Sequence, residues 1–275
     1  MDDPLSARFP HTVEIPIRLD DDPRYKGSIH DDAVARARGY KAALVPGAFV
    51  YGHVSRLAVD AWGADWAARG GMKARFRRPV YNGDVLTIAA SALTDDGTGV
   101  QATISAVNTD GEEVAVGWIA LPHERPAPPA LADLPMLPAA EAPPAVAAGG
   151  LTAGTRLTTK NRVLGQDDYE RSLKAFDERH AFYANRDIVH SGCLIRLTMG
   201  DANGSFRLPA AVVFTEGEAQ HYGLVRPGMR LATSGTVTDV YVRKGKHYFD
   251  SEEYLIADGK EVVARFRRTS IYAYD

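Results

Sequence analysis

Residues 47–62, GAFVYGHVSRLAVDAW, space Phe49, Val50, His53, Val54, Leu57, Ala58 and Trp62 three and four apart, the interval of one helical face. The positions between them are largely apolar too, so the helix is expected to be buried. Its start is marked by Val45-Pro46-Gly47. At such an end the first amide N–H groups have no intrahelical acceptor, and the positive pole of the helix dipole lies beside them. Downstream the period shortens to two. GMKARFRRPVYNGDVLTIAASAL, VQATISAVNT and EEVAVGWIAL alternate apolar with polar residues and are separated by Gly-Asp and Asp-Gly turns, the pattern of half-buried strands in an antiparallel sheet. One helix lying against such a sheet is the implied unit.

The pattern occurs twice. Gly47 of LVPG and Gly192 of VHSG are 145 residues apart, and so are Gly83 of PVYNGDVL and Gly228 of LVRPGMRL. Beyond them, ALTDDGTGVQATISAVNTDGEEVAVGWIAL matches TVTDVYVRKGKHYFDSEEYLIADGKEVVARFRR as run, turn, run, DG turn and strand, with about three extra residues in the second copy. Each copy also opens on a candidate strand, HTVEIPIRL or RLTTKNRVL. Between the copies, Pro122 to about Gly154 is rich in Pro, Ala and Gly and poor in aromatic and β-branched residues, which predicts an extended, poorly packed connector. The organisation expected is an N-terminal unit over 1–121, a linker over 122–154 and a C-terminal unit over 155–275.

Composition narrows the partners. The 32 basic and 35 acidic residues nearly cancel, so no charge excess draws the chain to nucleic acid or an anionic membrane. No window has the roughly 18 uninterrupted apolar residues of a membrane helix, and the N-terminus shows no apolar export region. The single cysteine, Cys193, excludes an internal disulfide and a Cys-based metal cluster and fits a reducing cytoplasm. Glycine-rich phosphate loops and the GxSxG elbow are absent. A small-molecule partner is what remains.

Two stretches then resemble a known family. The spacing of Phe76, Pro79, Val80, Gly83 and Asp84 in RFRRPVYNGDVL, after a buried helix entered through glycine, is similar to that of MaoC-like hot-dog proteins. Their best known members are (R)-specific enoyl-CoA hydratases and related acyl dehydratases. The likeness covers nearly the whole chain and implies an α+β fold, a tandem double hot dog in which each half wraps an antiparallel sheet around a central helix. It also implies no resident cofactor, a substrate that can be carried as a coenzyme A thioester, and units that pair their sheets, which the duplicated chain satisfies alone or by forming a homodimer.

The family's catalytic loop reads Asp, any residue, Asn, Pro, any residue, His, then an acid, alanines and Gly-aromatic. GSIHDDAVARARGY supplies His30, an acid as Asp31 or Asp32, Ala33, Ala35, Gly39 and Tyr40. It departs upstream: Tyr25 stands where the family has its catalytic Asp, Gly27 for the Asn and Ser28 for the Pro. Hydrating an enoyl thioester needs a base for water, an acid for the α-carbon and donors for the enolate oxygen. The resemblance gives the last task to the amides at Gly47 and Ala48 and the first to His30. Asp21, Asp22, Asp31, Asp32 or Tyr25 would have to serve for the missing carboxylate. The structural alternative makes Ser28 or Asp31 the cap of a short helix, with Asp32 in its first turn.

A rival constellation lies in FDERHAFYANRDIVHSG, where His180, Tyr183, Asp187 and His190 precede the second glycine-entered helix. His221 falls opposite Phe76 in the repeat register. Arg75, Arg77 and Arg78, or Arg243, Lys244 and Lys246, are candidates to receive coenzyme A phosphates, against the plainer reading of a solvated face. Three functions therefore stand open: a hydratase or dehydratase (a hydro-lyase) using His30; another lyase, an isomerase or a thioesterase using His180, Tyr183 and His190; and a non-catalytic acyl-binding protein.

Overall fold

The computed structural model describes residues 8–19, 22–185 and 187–275. The first half of the chain runs through β1 (His11–Pro16), α1 (Asp32–Ala37), α2 (Gly47–Arg69), β2 (Gly71–Phe76), β3 (Val85–Ala90), β4 (Thr94–Asp95), β5 (Gly99–Val107) and β6 (Glu113–Pro122). β7 (Leu137–Pro138) lies in the connecting segment. There follow β8 (Arg156–Thr159), β9 (Asn161–Val163), α3 (Gln166–Ala175), α4 (Ala181–Ala184), α5 (Ser191–Asn203), β10 (Val213–His221), β11 (Arg230–Arg243), β12 (Lys246–Ala257) and β13 (Glu261–Tyr274). The strands form one 13-stranded sheet in the order β1-β3-β5-β6-β2-β10-β13-β12-β11-β8-β7, with β4 on β5 and β9 on β11. Among these ladders only β7–β8 is parallel.

The sheet is continuous because β2 pairs with β10, and the register of that pairing is informative. Lys73 faces Glu218, Ala74 faces Gly217 and Met72 faces Ala219. Glu218 lies 145 residues beyond Lys73, the separation that also relates Gly47 to Gly192. Lys73 thus faces its own counterpart, and the flanking pairs mirror one another about it, as strands related by a local twofold must. The turns agree: Gly83 and Gly228 both adopt positive φ, 95° and 89°, ahead of β3 and β11.

α2 buries most of its surface, leaving only a narrow solvent-facing strip that includes Asp60, Ala64 and Asp65. It lies against β1, β2, β3, β6, β10 and α5. Helical geometry is interrupted at Gly63 (φ 56°, ψ −135°), where the apolar spacing read from the sequence also ends, and the chain then resumes helix to Arg69. The connector is largely exposed but is pinned at points. β7 pairs with β8, Ser234 Oγ donates to the Pro135 carbonyl at 2.6 Å, and Leu151 is buried.

α2 and α5 cross near their N-terminal ends at two glycines. A Cβ on Gly192 would lie 2.9 Å from Gly52 Cα and 2.5 Å from Phe176 Cζ, and one on Gly52 would lie 2.3 Å from Phe176 Cε1. The Phe176 ring is buried and hemmed in, so it has no free direction in which to yield. Gly192→Ala is therefore expected to destabilise the fold by about 1–3 kcal/mol, the usual cost of overpacking, read as a lower midpoint in urea unfolding with the slope unchanged.

Candidate active site

The loop ahead of α2 is built around His30. Asp31 is the N-cap of α1: its Oδ1 accepts from the Ala33 amide at 3.0 Å and its Oδ2 from the Gly27 amide at 3.1 Å. Asp32 pairs with Arg36 at 2.7 Å and accepts from the Ala43 amide at 3.0 Å. Both carboxyls are drawn below the usual carboxylate range, Asp31 first by the Gly27 amide and Asp32 first by the Arg36 side chain. They brace the loop, and neither lines the cavity described below. Ser28 Oγ accepts from the His30 amide at 3.1 Å, while Tyr25 sets its ring edge-on to the imidazole, centroids 5.4 Å apart.

That bracing fixes the imidazole. His30 Nδ1 is 2.7 Å from the Leu44 carbonyl oxygen; only an N–H can meet a carbonyl there, so Nδ1 carries the proton and Nε2 is left with its lone pair. Burial lowers the pKa of the ring, with the Leu44 carbonyl pulling the other way. His30 is accordingly a neutral base at pH 7. Leu44 is also tied back, its amide donating to Ile29 at 3.0 Å. The Val45 amide donates to Val80 at 2.8 Å and Asn82 to Ala43 at 2.9 Å. The PVYNGD stretch is thus the platform on which the His30 loop and the entrance of α2 are seated.

At that entrance, Pro46 is the N-cap and provides no side-chain acceptor. The amides of Gly47 and Ala48 meet no acceptor among the described residues, as expected for an uncapped helix end. Glycine is favoured at 47 by close approach, since a Cβ there would lie 3.1 Å from Phe214 Cδ1 and 3.2 Å from its carbonyl oxygen. His30, Leu44, Pro46, Gly47 and Ala48 form one wall of a cavity of about 750 Å³. The facing wall comes from the second half and includes Phe214, Thr215, Tyr241, Tyr248, Asp250 and Thr269. Arg75, Arg77 and Arg78 also line it, each already engaged, by Glu216, Glu113 and Glu112 respectively. A more open depression of about 770 Å³ on the sheet, with Lys73, Trp118 and Glu216 in its wall, has neither a histidine nor a helix end, so the chemistry is assigned to the first.

The second helix entrance is closed. His190 is the N-cap of α5, its Nδ1 accepting from the Gly192 amide at 3.0 Å. Its ring stacks on Phe176 at 4.2 Å and meets Tyr183 at 4.8 Å. His190 and Tyr183 are both fully buried. His221 is buried as well, its Nε2 2.9 Å from Ser191 Oγ. Because Nδ1 of His190 is an acceptor, its proton sits on Nε2, 3.6 Å from Glu178 Oε2. Burial lowers the His190 pKa and outweighs that carboxylate.

The architecture now has a precedent in solved structures. The fold is a double hot dog. A protein described as a MaoC domain dehydratase from Chloroflexus aurantiacus superposes with TM-score 0.62 at 15% identity, over 97% of this chain and 95% of that one. A double hot-dog protein of Mycobacterium tuberculosis gives 0.59 at 17% identity, over 95% and 96%. One described as an oleoyl thioesterase from Lactobacillus plantarum gives 0.51 at 11% identity, over 98% and 100%. No family model matches the sequence, and no curated protein does.

Within this double hot dog the sequence candidates fall into two groups. His30 and Gly47 share the cavity with the three arginines; Tyr183 and His190 are packed in the interior beside Glu178, with His180 half-buried next to them. His180 is the N-cap of α4 and lies against Phe182 at 4.0 Å, with its amide donating to Glu178 Oε1 at 2.8 Å. Asp22 is held by Arg24 and drawn down to about 2, chiefly by that side-chain hydrogen bond, and Asp21 lies outside the described residues. Trp62, Trp66, Phe49 and Tyr51 are buried core. Phe214, Tyr241, Tyr248 and Asp250 are the cavity residues that sequence reasoning missed. Among the described residues no cluster of three or more His, Cys, Asp or Glu could hold a metal ion, and no helix is long and apolar enough to cross a membrane.

Glu178 carries a pH consequence. Burial pushes its carboxyl up, but the His190 imidazole 3.6 Å away, the hydrogen bond from the His180 amide and the charge of Arg56 outweigh this and hold it at about 2. A depressed carboxyl contributes stability that is present above its unfolded pKa and is lost as pH falls toward the folded one. The melting temperature is expected to fall between pH 4.5 and about 2, and Glu178→Gln should flatten that acid limb in thermal melts followed by circular dichroism.

Proposed function

We propose that the protein is a hydro-lyase acting on an enoyl or 3-hydroxyacyl thioester, built as two tandem hot-dog units of which the first carries the working site. The observation that carries this reading is the neutral His30, anchored three residues ahead of the open Gly47 entrance through Leu44, on one cavity wall with two unpaired amides. In hydration, Nε2 of His30 takes a proton from water as the oxygen bonds to the β-carbon. The Gly47 and Ala48 amides hold the enolate oxygen, charge stabilisation that such preorganised donors supply without reorganising. Arg75, Arg77 and Arg78 line the same cavity and would be the groups to receive a coenzyme A phosphate. Two structural neighbours described as dehydratases agree with this reading.

A thioesterase is the second reading, and the loop itself favours it. Tyr25 replaces the aspartate of the hydratase motif, and hydrolysis of a thioester can proceed with a histidine base and an oxyanion site alone. Neighbours described as thioesterases share the fold.

The two readings separate in one assay. Crotonyl-CoA and longer enoyl-CoAs should lose the absorbance of the conjugated thioester without releasing thiol; thiol release would favour the thioesterase, and no change with any of them would remove both. His30→Ala should lower kcat by about 10²- to 10⁴-fold with the protein still folded, its melting temperature reduced only by the loss of the Leu44 hydrogen bond. For the wild type, kcat/KM should decline as pH drops through the His30 pKa, which lies below the ordinary histidine value of 6.5.

A further inference from the structure

The hydro-lyase reading leaves one role unfilled, since a base and an oxyanion site do not put a proton on the α-carbon. The carboxyls near His30 in sequence are committed elsewhere: Asp31 caps α1, Asp32 pairs with Arg36 and Asp22 with Arg24, and none of the three lines the cavity. Among the described residues the carboxyls on the cavity wall are Glu216 and Asp250. Glu216 is bound by Lys73 at 2.6 Å and Arg75 at 3.8 Å. Asp250, on β12, has no ion pair among the described residues, and its Oδ1 is buried without a hydrogen-bond partner. An orphaned buried acceptor is costly to maintain, and Asp250 combines one with a place on the cavity wall.

We propose that Asp250, contributed by the second half of the chain, is the catalytic acid that serves in place of the aspartate missing at Tyr25. The assignment rests on the hydro-lyase reading given above. As water adds to the β-carbon, His30 Nε2 takes its proton and the carbon–carbon π pair moves through the α-carbon onto the thioester oxygen. When the enolate collapses, that pair returns to the α-carbon and forms a bond to the proton of the Asp250 carboxyl. The imidazolium then returns its proton to the carboxylate through water, so one water is consumed and both side chains are restored. Dehydration runs the same steps in reverse.

The surroundings suit a carboxyl that must be protonated to act. Asp239 on β11, Glu216 on β10 and Lys73 on β2 act on it through their charges, Tyr241 on β11 is coupled to it, and Thr269 on β13 donates a hydrogen bond. Two acidic neighbours are opposed by one lysine. Burial, the largest influence, raises the Asp250 pKa, and the Thr269 hydroxyl draws it back in part. His30 is displaced the opposite way, downward. The two shifts together widen the share of molecules with a neutral imidazole and a protonated carboxyl.

The decisive comparison is of wild type, Asp250→Asn and Asp250→Glu with crotonyl-CoA across pH. Asp250→Asn should lower kcat by about 10²-fold or more while KM stays within roughly threefold. The alkaline limb of the wild-type kcat/KM profile, which reports loss of the acid's proton, should vanish with it, and Asp250→Glu should restore part of the rate and a displaced limb. A kcat within roughly threefold of wild type and an unchanged alkaline limb in Asp250→Asn overturn the assignment while leaving the hydro-lyase reading intact. Wild type inactive on every enoyl and 3-hydroxyacyl thioester overturns both. Should Asp250→Asn melt early, Asp250→Glu decides: a folded variant with the wild-type limb unmoved also overturns the assignment.

Discussion

Main-chain hydrogen bonding between β2 and β10 is the constraint from which the site follows. Each would otherwise be an edge strand, with a row of unpaired amides and carbonyls open to any other chain. Joining them removes two such edges and fixes how the halves face one another. The start of β10 is drawn against the entrance of α2, so closely that a Cβ on Gly47 would lie 3.1 Å from the Phe214 ring. β11, β12 and β13 follow β10 in the sheet, and their side chains supply the wall opposite His30. Neither half alone encloses the cavity.

The two helix entrances show how one local plan yields two outcomes. In α5, an imidazole occupies the position where an external acceptor would bind, and Phe176 and Tyr183 close over it. In α2 the corresponding amides remain open, because a proline has no acceptor side chain to offer them. Unpaired N–H groups carry a desolvation cost that a packed core does not tolerate. The open end persists because it faces a cavity rather than side chains.

Much of this was legible in the sequence, to the extent that it was local. Helix α2 followed from apolar spacing, the strands from alternation, and the matched turns from glycines that a positive φ requires. His30, Gly47 and the three arginines were identified from within a stretch of fewer than fifty residues, 30–78. The capping role of Asp31 was one of the readings its position allowed. Asp250, Tyr241 and Phe214 gave no signal, since only the long-range pairing of β2 with β10 brings them to the cavity. His180, Tyr183 and His190 illustrate the converse difficulty. Polar residues clustered before a glycine-entered helix look the same in sequence whether they line a pocket or are sealed, and what seals His190 is Phe176, stacked on it across the Gly52–Gly192 crossing.

The residues at the centre of the seam bear on whether the halves can exchange partners. Position 73 is lysine and its counterpart at 218 is glutamate, with Arg75 and Glu216 adding to the same polarity. A first half pairing with another first half in this register would set lysine against lysine, and two second halves would set glutamate against glutamate. Only the unlike combination joins opposite charges. The seam therefore acts as a lock between dissimilar partners, and it binds the chain to its own other half in preference to a symmetric copy of either part.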